Sequence, residues 1–451
     1  MIPRSPFFDK ARSWFWPALL LLGNLLVVCG TELAYDEAYY WLFSKNLAWG
    51  YFDHPPMAAL WVALTAWIPG ELGVRLGFVL FTQAAAWLVG RLVPRDQRWE
   101  VWAGFSLFPL LAFAGVFAIP DGPLVGFSAV WLWALHRSLK DDSWANALLM
   151  GVVSALLLYS KYHGVLYMVA TLIALPRLLK RPTLWGAMLL AFLLFIPHIH
   201  WQWLHNFATL RYHFIDRPKV PFGLRSPAIF LLTQLFVFGL FLGPFFWAWL
   251  WKTKATTEFD RVLKVMAVFI PVFFLFSSLN KKVEANWTVA TSLPLLLFLV
   301  RERAIPLGKK WVMGLGVAGL VLLFVGRIIL VVPPTGEAFE RGGELHGWAD
   351  WAKDVEQKAG PDCPLMANRY QIASKLSFYL QRNVPALNIG TRLNQFEFWD
   401  WEAPFKGQNV CWITQIKRFP GLPLPTPDGK NLILVKQYPL DDILLSKDKS
   451  L

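Results

Sequence analysis

The chain has 451 residues, of which 56% are hydrophobic and 16% charged, with 25 Trp and 36 Phe; a water-soluble domain carries roughly 25% charged residues, so an ordinary soluble enzyme is excluded. The formal net charge is +13, yet from Pro333 onward 14 basic residues meet 14 acidic ones, so the whole excess lies among the apolar runs of the first 332 residues. That distribution points to membrane topology rather than to a nucleic-acid groove.

A membrane-crossing helix takes about 20 predominantly apolar residues. The first candidate, 14–30, follows Arg4, Lys10 and Arg12 and lacks a small-residue cleavage site, so it reads as a retained helix and not as a signal peptide. A polar and aromatic segment, 31–70, comes next. Its second half, past Pro55 and Pro56, is apolar but too short to span, and reads as an interfacial helix carrying Trp61 and Trp67. Further spans are expected near 71–93, 99–118, 124–139, 144–160, 165–179, 183–203, 226–251, 262–279, 287–300 and 311–332. With the first this makes about eleven.

One set of connecting segments, with the N-terminus, holds 19 basic residues, among them Arg91, Arg95 and Arg98, Arg177, Lys180 and Arg181, and Lys309 and Lys310. Basic residues concentrate in cytoplasmic loops, so these segments are expected in the cytoplasm. The opposite, periplasmic side then receives 31–70, the turns at Asp121 and Lys161, the loop 204–225, the turn 280–286 and the C-terminal region. In that region 364–367, 386–389, 410–414 and 432–435 read as strands and 371–380 as a helix. The expected architecture is a polytopic α-helical membrane domain, 1–332, with 31–70 as its first periplasmic loop, followed by a small α/β domain, 333–451, after Pro333-Pro334. Cys29 reads as a small buried hydrophobe. Spacing alone leaves a disulfide between Cys363 and Cys411 open.

The outer face carries the chemistry. Asp36 and Glu37 sit just beyond the first span, where acidic residues at a membrane edge point to function, although by spacing alone they also suit a helix N-terminus. Asp121 is the acid of a short outer turn and also suits a helix N-cap. Positive charge on this side opposes the orientation rule. Lys161, His163, His54, Arg211, Arg217 and Lys281 are therefore candidates for holding an anionic lipid phosphate, with Arg225, Lys219 and Lys282 equally suited to lipid headgroups or solvent. Asp53, Tyr39, Tyr40, Glu284, Asn286 and Trp287 are candidates for sugar or acceptor contacts. Carboxylates beside phosphate-binding cations suit group transfer from a lipid phosphate: a carboxylate deprotonates an incoming hydroxyl and the cations stabilise the departing phosphate.

Four segments carry a resemblance: Tyr35-Asp36-Glu37-Ala38-Tyr39-Tyr40-Trp41, Tyr51-Phe52-Asp53-His54-Pro55-Pro56-Met57, Asp121-Gly122-Pro123-Leu124 and Lys161-Tyr162-His163-Gly164. In their order and hydropathy they resemble the bacterial protein-mannosyltransferase type of GT-C glycosyltransferase, family 39, with the related lipid A aminoarabinose transferases. The resemblance implies a GT-C fold and an enzyme that takes a sugar from a polyprenyl (undecaprenyl) phosphate with inversion, on the non-cytoplasmic face. It implies that Asp36 is the base or acceptor-positioning group with Glu37 beside it, that Asp121 is the second loop acid and that Lys161 is the phosphate-side lysine. The aminoarabinose transferases have a Lys before the Pro-Pro pair where this chain has His54. Gly347-Trp348, the segment Ala367 to Gln371 and the segment Arg392 to Phe396 resemble the outer domain of the lipid A branch, so lipid A or another envelope glycolipid is the expected acceptor. A protein acceptor is the alternative, and a lipid-linked glycan flippase is the alternative of another class. A flippase would place charges at mid-bilayer and show inverted repeats, whereas here the charges lie mostly at span ends, on one face, with no obvious repeat. No cofactor is required by this chemistry. His54, His163, His198, His200, His205 and His213 lack a compact metal-ligand spacing, leaving the use of a divalent metal open.

Overall fold

The computed structural model describes residues 6–216, 221–333, 343–416 and 421–448. Arg217, Lys219 and Pro334 lie outside them. Sixteen helices, in chain order, build the body: α1 (Pro6–Gly30), α2 (Tyr35–Lys45), α3 (Met57–Ala63), α4 (Gly70–Gly90), α5 (Arg98–Leu107), α6 (Pro109–Ala114), α7 (Asp121–Lys140), α8 (Trp144–Ser160), α9 (Val165–Ala174), α10 (Pro182–Leu204), α11 (Ala208–Arg211), α12 (Arg225–Val237), α13 (Gly243–Lys252), α14 (Glu258–Ser277), α15 (Val289–Arg301) and α16 (Lys310–Val331). α8 packs on α7 and α10, α4 on α7 and α1, and α14 on α15 and α9.

Among the described residues, α4, α10 and α16 are each long and apolar enough to cross a membrane, and two bent pairs pass the same test: α1 with α2, at 87°, and Arg225–Val237 with Leu240–Lys252, at 114°. Only 17% of the apolar window of α10, and 17% of that of α16, is covered by protein. Faces this apolar would be an aggregation hazard in water, whereas lipid is their natural solvent. The chain is a multi-pass membrane protein. Several expected spans are not single rods. The stretch 99–118 breaks at Pro109, whose ring cannot continue the helix from the residue before it, and 226–251 folds sharply around Gly239. Cys29 is exposed on α1 rather than buried.

The C-terminal region forms a four-stranded sheet in the order β1-β2-β4-β3, with β1 (Leu365–Ala367) parallel to β2 (Asn409–Thr414), and β4 (Asn431–Pro439) antiparallel to both β2 and β3 (Leu422–Pro425). The expected strand 386–389 supplies a single bridge to Ala367, and β3, not anticipated, takes the sheet edge. Prolines at both Pro423 and Pro425 explain the omission, and an edge is where a strand tolerates them. Helices Trp348–Ala359 and Tyr370–Leu380 cover the sheet, and the second packs on α2.

The segment 31–70 and the C-terminal region share one core: Leu33, Tyr39, Phe43, Tyr51 and Ala58 pack in the same cluster as Trp348, Leu376, Phe378 and Leu434. Polar contacts join the same two parts. Glu32 accepts from Trp348 N at 2.6 Å and Ala349 N at 3.0 Å, capping the helix Trp348–Ala359 from a distant part of the chain, where a carboxylate also favours the helix dipole. Glu344 Oε1 accepts from Tyr35 N at 2.7 Å. The buried Lys375 donates to Leu33 O and, at 2.8 Å, to Glu344 O; burial brings its pKa down to about 7, with Glu32 and Glu344 opposing.

Cys363 and Cys411 are joined in a disulfide with a sequence separation of 48, tying the start of β1 to β2. Closing a loop of this length constrains the unfolded chain by about 2–4 kcal/mol. The Cys363→Ala/Cys411→Ala variant is therefore expected to unfold several degrees lower, and reductant is expected to lower the wild-type transition to the same level. Calorimetry of the detergent-purified protein checks this, and coincident transitions for the oxidised and reduced forms would refute it.

Candidate functional site

Between the helical body and the layer formed by 31–70 with the C-terminal region lies a cleft of about 640 Å³. It gathers Asp36, Tyr39 and Tyr40 from α2, Asp53 and His54 from the segment after it, Asp121 from α7, Lys161 and His163 from the α8–α9 turn, and Lys281, Glu284, Asn286 and Trp287 from the α14–α15 turn. Residues far apart in sequence thus line one concave surface with an apolar flank of Val165, Phe273 and Phe274. Among the described residues no three His, Cys, Asp or Glu side chains are grouped to hold a metal ion.

Asp121 occupies the first turn of α7. The next residue must be glycine, since a Cβ there would lie 2.6 Å from Phe78 Cδ1 and 2.8 Å from Ala114 O. Lys161 ends α8 in an extended conformation, which swings its side chain across to Asp121. Its Nζ donates to Asp121 Oδ1 at 2.9 Å, and Asn286 Nδ2 donates to Asp121 Oδ2 at 2.9 Å. Both carboxylate oxygens are therefore engaged, which suits Asp121 to orienting a cation and an amide rather than to taking a proton.

Asp36 differs from it. Its carboxylate opens into the cleft and accepts from Tyr370 OH at 3.2 Å. Asp36 is exposed to the open cleft, yet the protein crowded around it desolvates the carboxyl and, with the negative charges of Asp53 and Glu344, raises its pKa to about 6 against the pull of Tyr370 and Arg392. A carboxylate so adjusted is ionised at neutral pH and is a stronger base than an ordinary aspartate.

Glu37, the next residue in sequence, faces away from the cleft. Both it and Arg75 are 0% exposed. Arg75 clamps it with Nε to Oε1 at 2.7 Å and a second N–H to Oε2 at 2.6 Å, while Ala118 N and Ala34 N donate to the same two oxygens at 2.8 Å each. Glu37, expected among the catalytic residues, does not line the cleft, and its two carboxylate oxygens are taken up by these four N–H groups.

Asp53 is 7% exposed and shared between two parts of the chain. Tyr39 OH donates to Oδ2 at 3.0 Å and Arg392 donates to Oδ1 at 2.7 Å. The Arg392 guanidinium lies over the Tyr212 and Tyr370 rings at 5.0 and 4.9 Å. Tyr370 and Arg392 are the site residues that sequence reasoning missed. Both lie in the polar motifs of the tail, but nothing in their spacing indicates that they reach α2. His54 is held well below its usual pKa by desolvation and by His213 and Lys161. Lys281 lines the cleft and donates to His213 O at 3.2 Å. Arg211 is exposed at the end of α11 and does not line the cleft, and Arg217 lies outside the described residues.

The family described as dolichyl-phosphate-mannose-protein mannosyltransferase matches residues 53–201. A lipid A galacturonosyltransferase, RgtD, from Rhizobium johnstonii is 27% identical over 419 residues, 85% of this chain and 84% of that protein. A lipopolysaccharide core galacturonosyltransferase, RgtA, from the same organism is 28% identical over 219 residues, 45% of this chain and 43% of that protein. Among solved structures, the crystal structure of ArnT from Cupriavidus metallidurans bound to undecaprenyl phosphate superposes with a TM-score of 0.68 at 15% identity, covering 94% of this chain and 98% of that one. The GT-C fold and the resemblance to the protein-mannosyltransferase type, expected from the motifs, are borne out.

Proposed function

We propose that this protein is an inverting glycosyltransferase that moves a hexuronosyl unit from a polyprenyl phosphate to a hydroxyl of lipid A, on the periplasmic face of the bacterial inner membrane. The similarity to RgtD over most of both chains supports the donor class and acceptor, and the fold shared with a transferase bound to undecaprenyl phosphate supports the carrier. The observation that carries the mechanism is the cleft itself, with a base of raised pKa on one wall and the Lys161–Asp121–Asn286 cluster on the other.

Asp36 takes the proton of the acceptor hydroxyl. The acceptor oxygen bonds to C1 of the sugar as the bond from C1 to the phosphate oxygen breaks. The polyprenyl phosphate leaves with that electron pair, and C1 inverts. Lys161, oriented by Asp121, and Lys281 stabilise the charge gathering on the phosphate, while His54 and His163 offer hydrogen-bonding capacity nearby. Tyr39, Tyr40, Glu284 and Trp287 serve the sugar and acceptor. In the membrane, the apolar stretches make about eleven spans, with the broken pairs α5 with α6 and α12 with α13 each completing one. The 19 basic residues of the expected cytoplasmic side orient them. The outer layer, 31–70 with the C-terminal region, then lies in the periplasm. The family description favours one second reading, a protein acceptor.

The test is reconstitution. Nanodisc protein is given radiolabelled polyprenyl-phosphate hexuronate with lipid A or with an unglycosylated envelope protein fraction. Label in lipid A is expected. Label in protein would favour the second reading, and no transfer to either would overturn the proposal.

A further inference from the structure

We propose that Arg392 is the residue that recognises the sugar of the donor, by pairing with the carboxylate of a hexuronosyl unit; this rests on the uronosyl-transfer reading above. Such a donor brings two anions into the cleft, the phosphodiester to the prenyl chain and the carboxylate on C5 of the sugar. The chain must leave toward the bilayer, past the apolar flank of Val165, Phe273 and Phe274. That path sets the phosphate against the helix ends carrying Lys161 and directs the sugar outward, toward the layer that supplies Tyr370 and Arg392.

There the sugar meets Asp36, whose charge repels a uronate, and Asp53, whose charge is already offset by its partners. Among the described residues lining the cleft, the guanidinium beside them is that of Arg392. Its bond of 2.7 Å to Asp53 uses one N–H of a planar group that carries five. The rings of Tyr212 and Tyr370 fix its plane, and its side chain is 38% exposed on a residue that lines the cleft. A fixed guanidinium with an open edge matches a carboxylate in a bidentate manner. Asp53 already accepts from both Tyr39 and Arg392, so its charge is balanced before the donor arrives. A neutral hexose offers this edge only the single uncharged oxygen of its C6 hydroxyl.

Kinetics of the nanodisc protein with polyprenyl-phosphate galacturonate and polyprenyl-phosphate galactose, which differ only at C6, test the assignment. Arg392→Gln is expected to lower kcat/KM for the uronosyl donor by about 100-fold, mostly through KM, and for the hexosyl donor by at least about 10-fold less, the loss common to both donors reporting the unpaired Asp53. Arg392→Lys, which keeps the charge and loses the fork, is expected to recover part of the uronosyl KM. Equal losses on both donors, or a preference that survives in Arg392→Gln, would overturn the role of Arg392 while leaving the uronosyl reading intact. A wild-type protein that uses both donors equally would overturn the uronosyl reading itself.

Discussion

Asp36→Asn is expected to reduce transfer to a hydroxyl acceptor by about 10²–10⁴-fold in kcat, the usual contribution of a positioned general base, while leaving donor binding within a few-fold of wild type. The change removes one negative charge and keeps the shape and the hydrogen bond from Tyr370, so loss of fold would not be the explanation. The pH profile adds a signature. The Asp36 carboxyl is raised to about 6 in the folded protein, and only its ionised form accepts a proton. The rate should therefore rise with pH through about 6 and then level, and this acidic limb should be missing from the residual activity of Asp36→Asn. Because the unfolded-state value is lower, the ionised form is also the less favoured one in the fold, so the protein does not depend on it for stability. Initial rates measured between pH 5 and 8 on both proteins decide the matter. A wild-type rate flat across that range, or an Asn variant of near-normal activity, would mean that the acceptor arrives already ionised, as a phosphate does.

The second large effect falls on stability. Arg75→Met leaves the buried Glu37 carboxylate without its partner and is expected to cost about 3–5 kcal/mol. Glu37→Met is no milder, since it also strips the Ala34 and Ala118 N–H groups of their acceptor. Both variants should show lower yield and a lower transition temperature in detergent. The comparison also separates Glu37 from Asp36. If Glu37 took part in proton transfer, Glu37→Gln would fold with normal stability and be inactive; the structure predicts reduced stability, with activity following the folded fraction.

These two neighbours show how far the sequence could be read. That an Asp-Glu pair lay just beyond the first span, where one acid would meet the cleft, was legible from charge and hydropathy. Which of the two faced the cleft was not, because successive residues of a helix point about 100° apart and the deciding partner, Arg75, sits 38 residues away in a stretch read as plain apolar span. The outer turns at Asp121, Lys161 and Asn286 were legible individually, and their meeting at two bonds of 2.9 Å belongs to tertiary packing. Hydropathy windows found the apolar stretches but averaged across Pro109 and Gly239, where helices break. Tyr370 and Arg392 carried no periodic signal, since their position depends on a core shared by segments more than 300 residues apart.

That shared core bears on how such proteins diversify. A recombination event, or an engineered chimera, that moved only the C-terminal region into another scaffold would separate Leu376 and Phe378 from Tyr39 and Phe43, and Arg392 from Asp53. On the assignment of Arg392 proposed above, the unit that carries sugar preference is discontinuous in the gene, comprising the short stretch after the first helix together with the distant tail. Exchange of donor specificity between lineages would require both pieces to travel together or to change in concert.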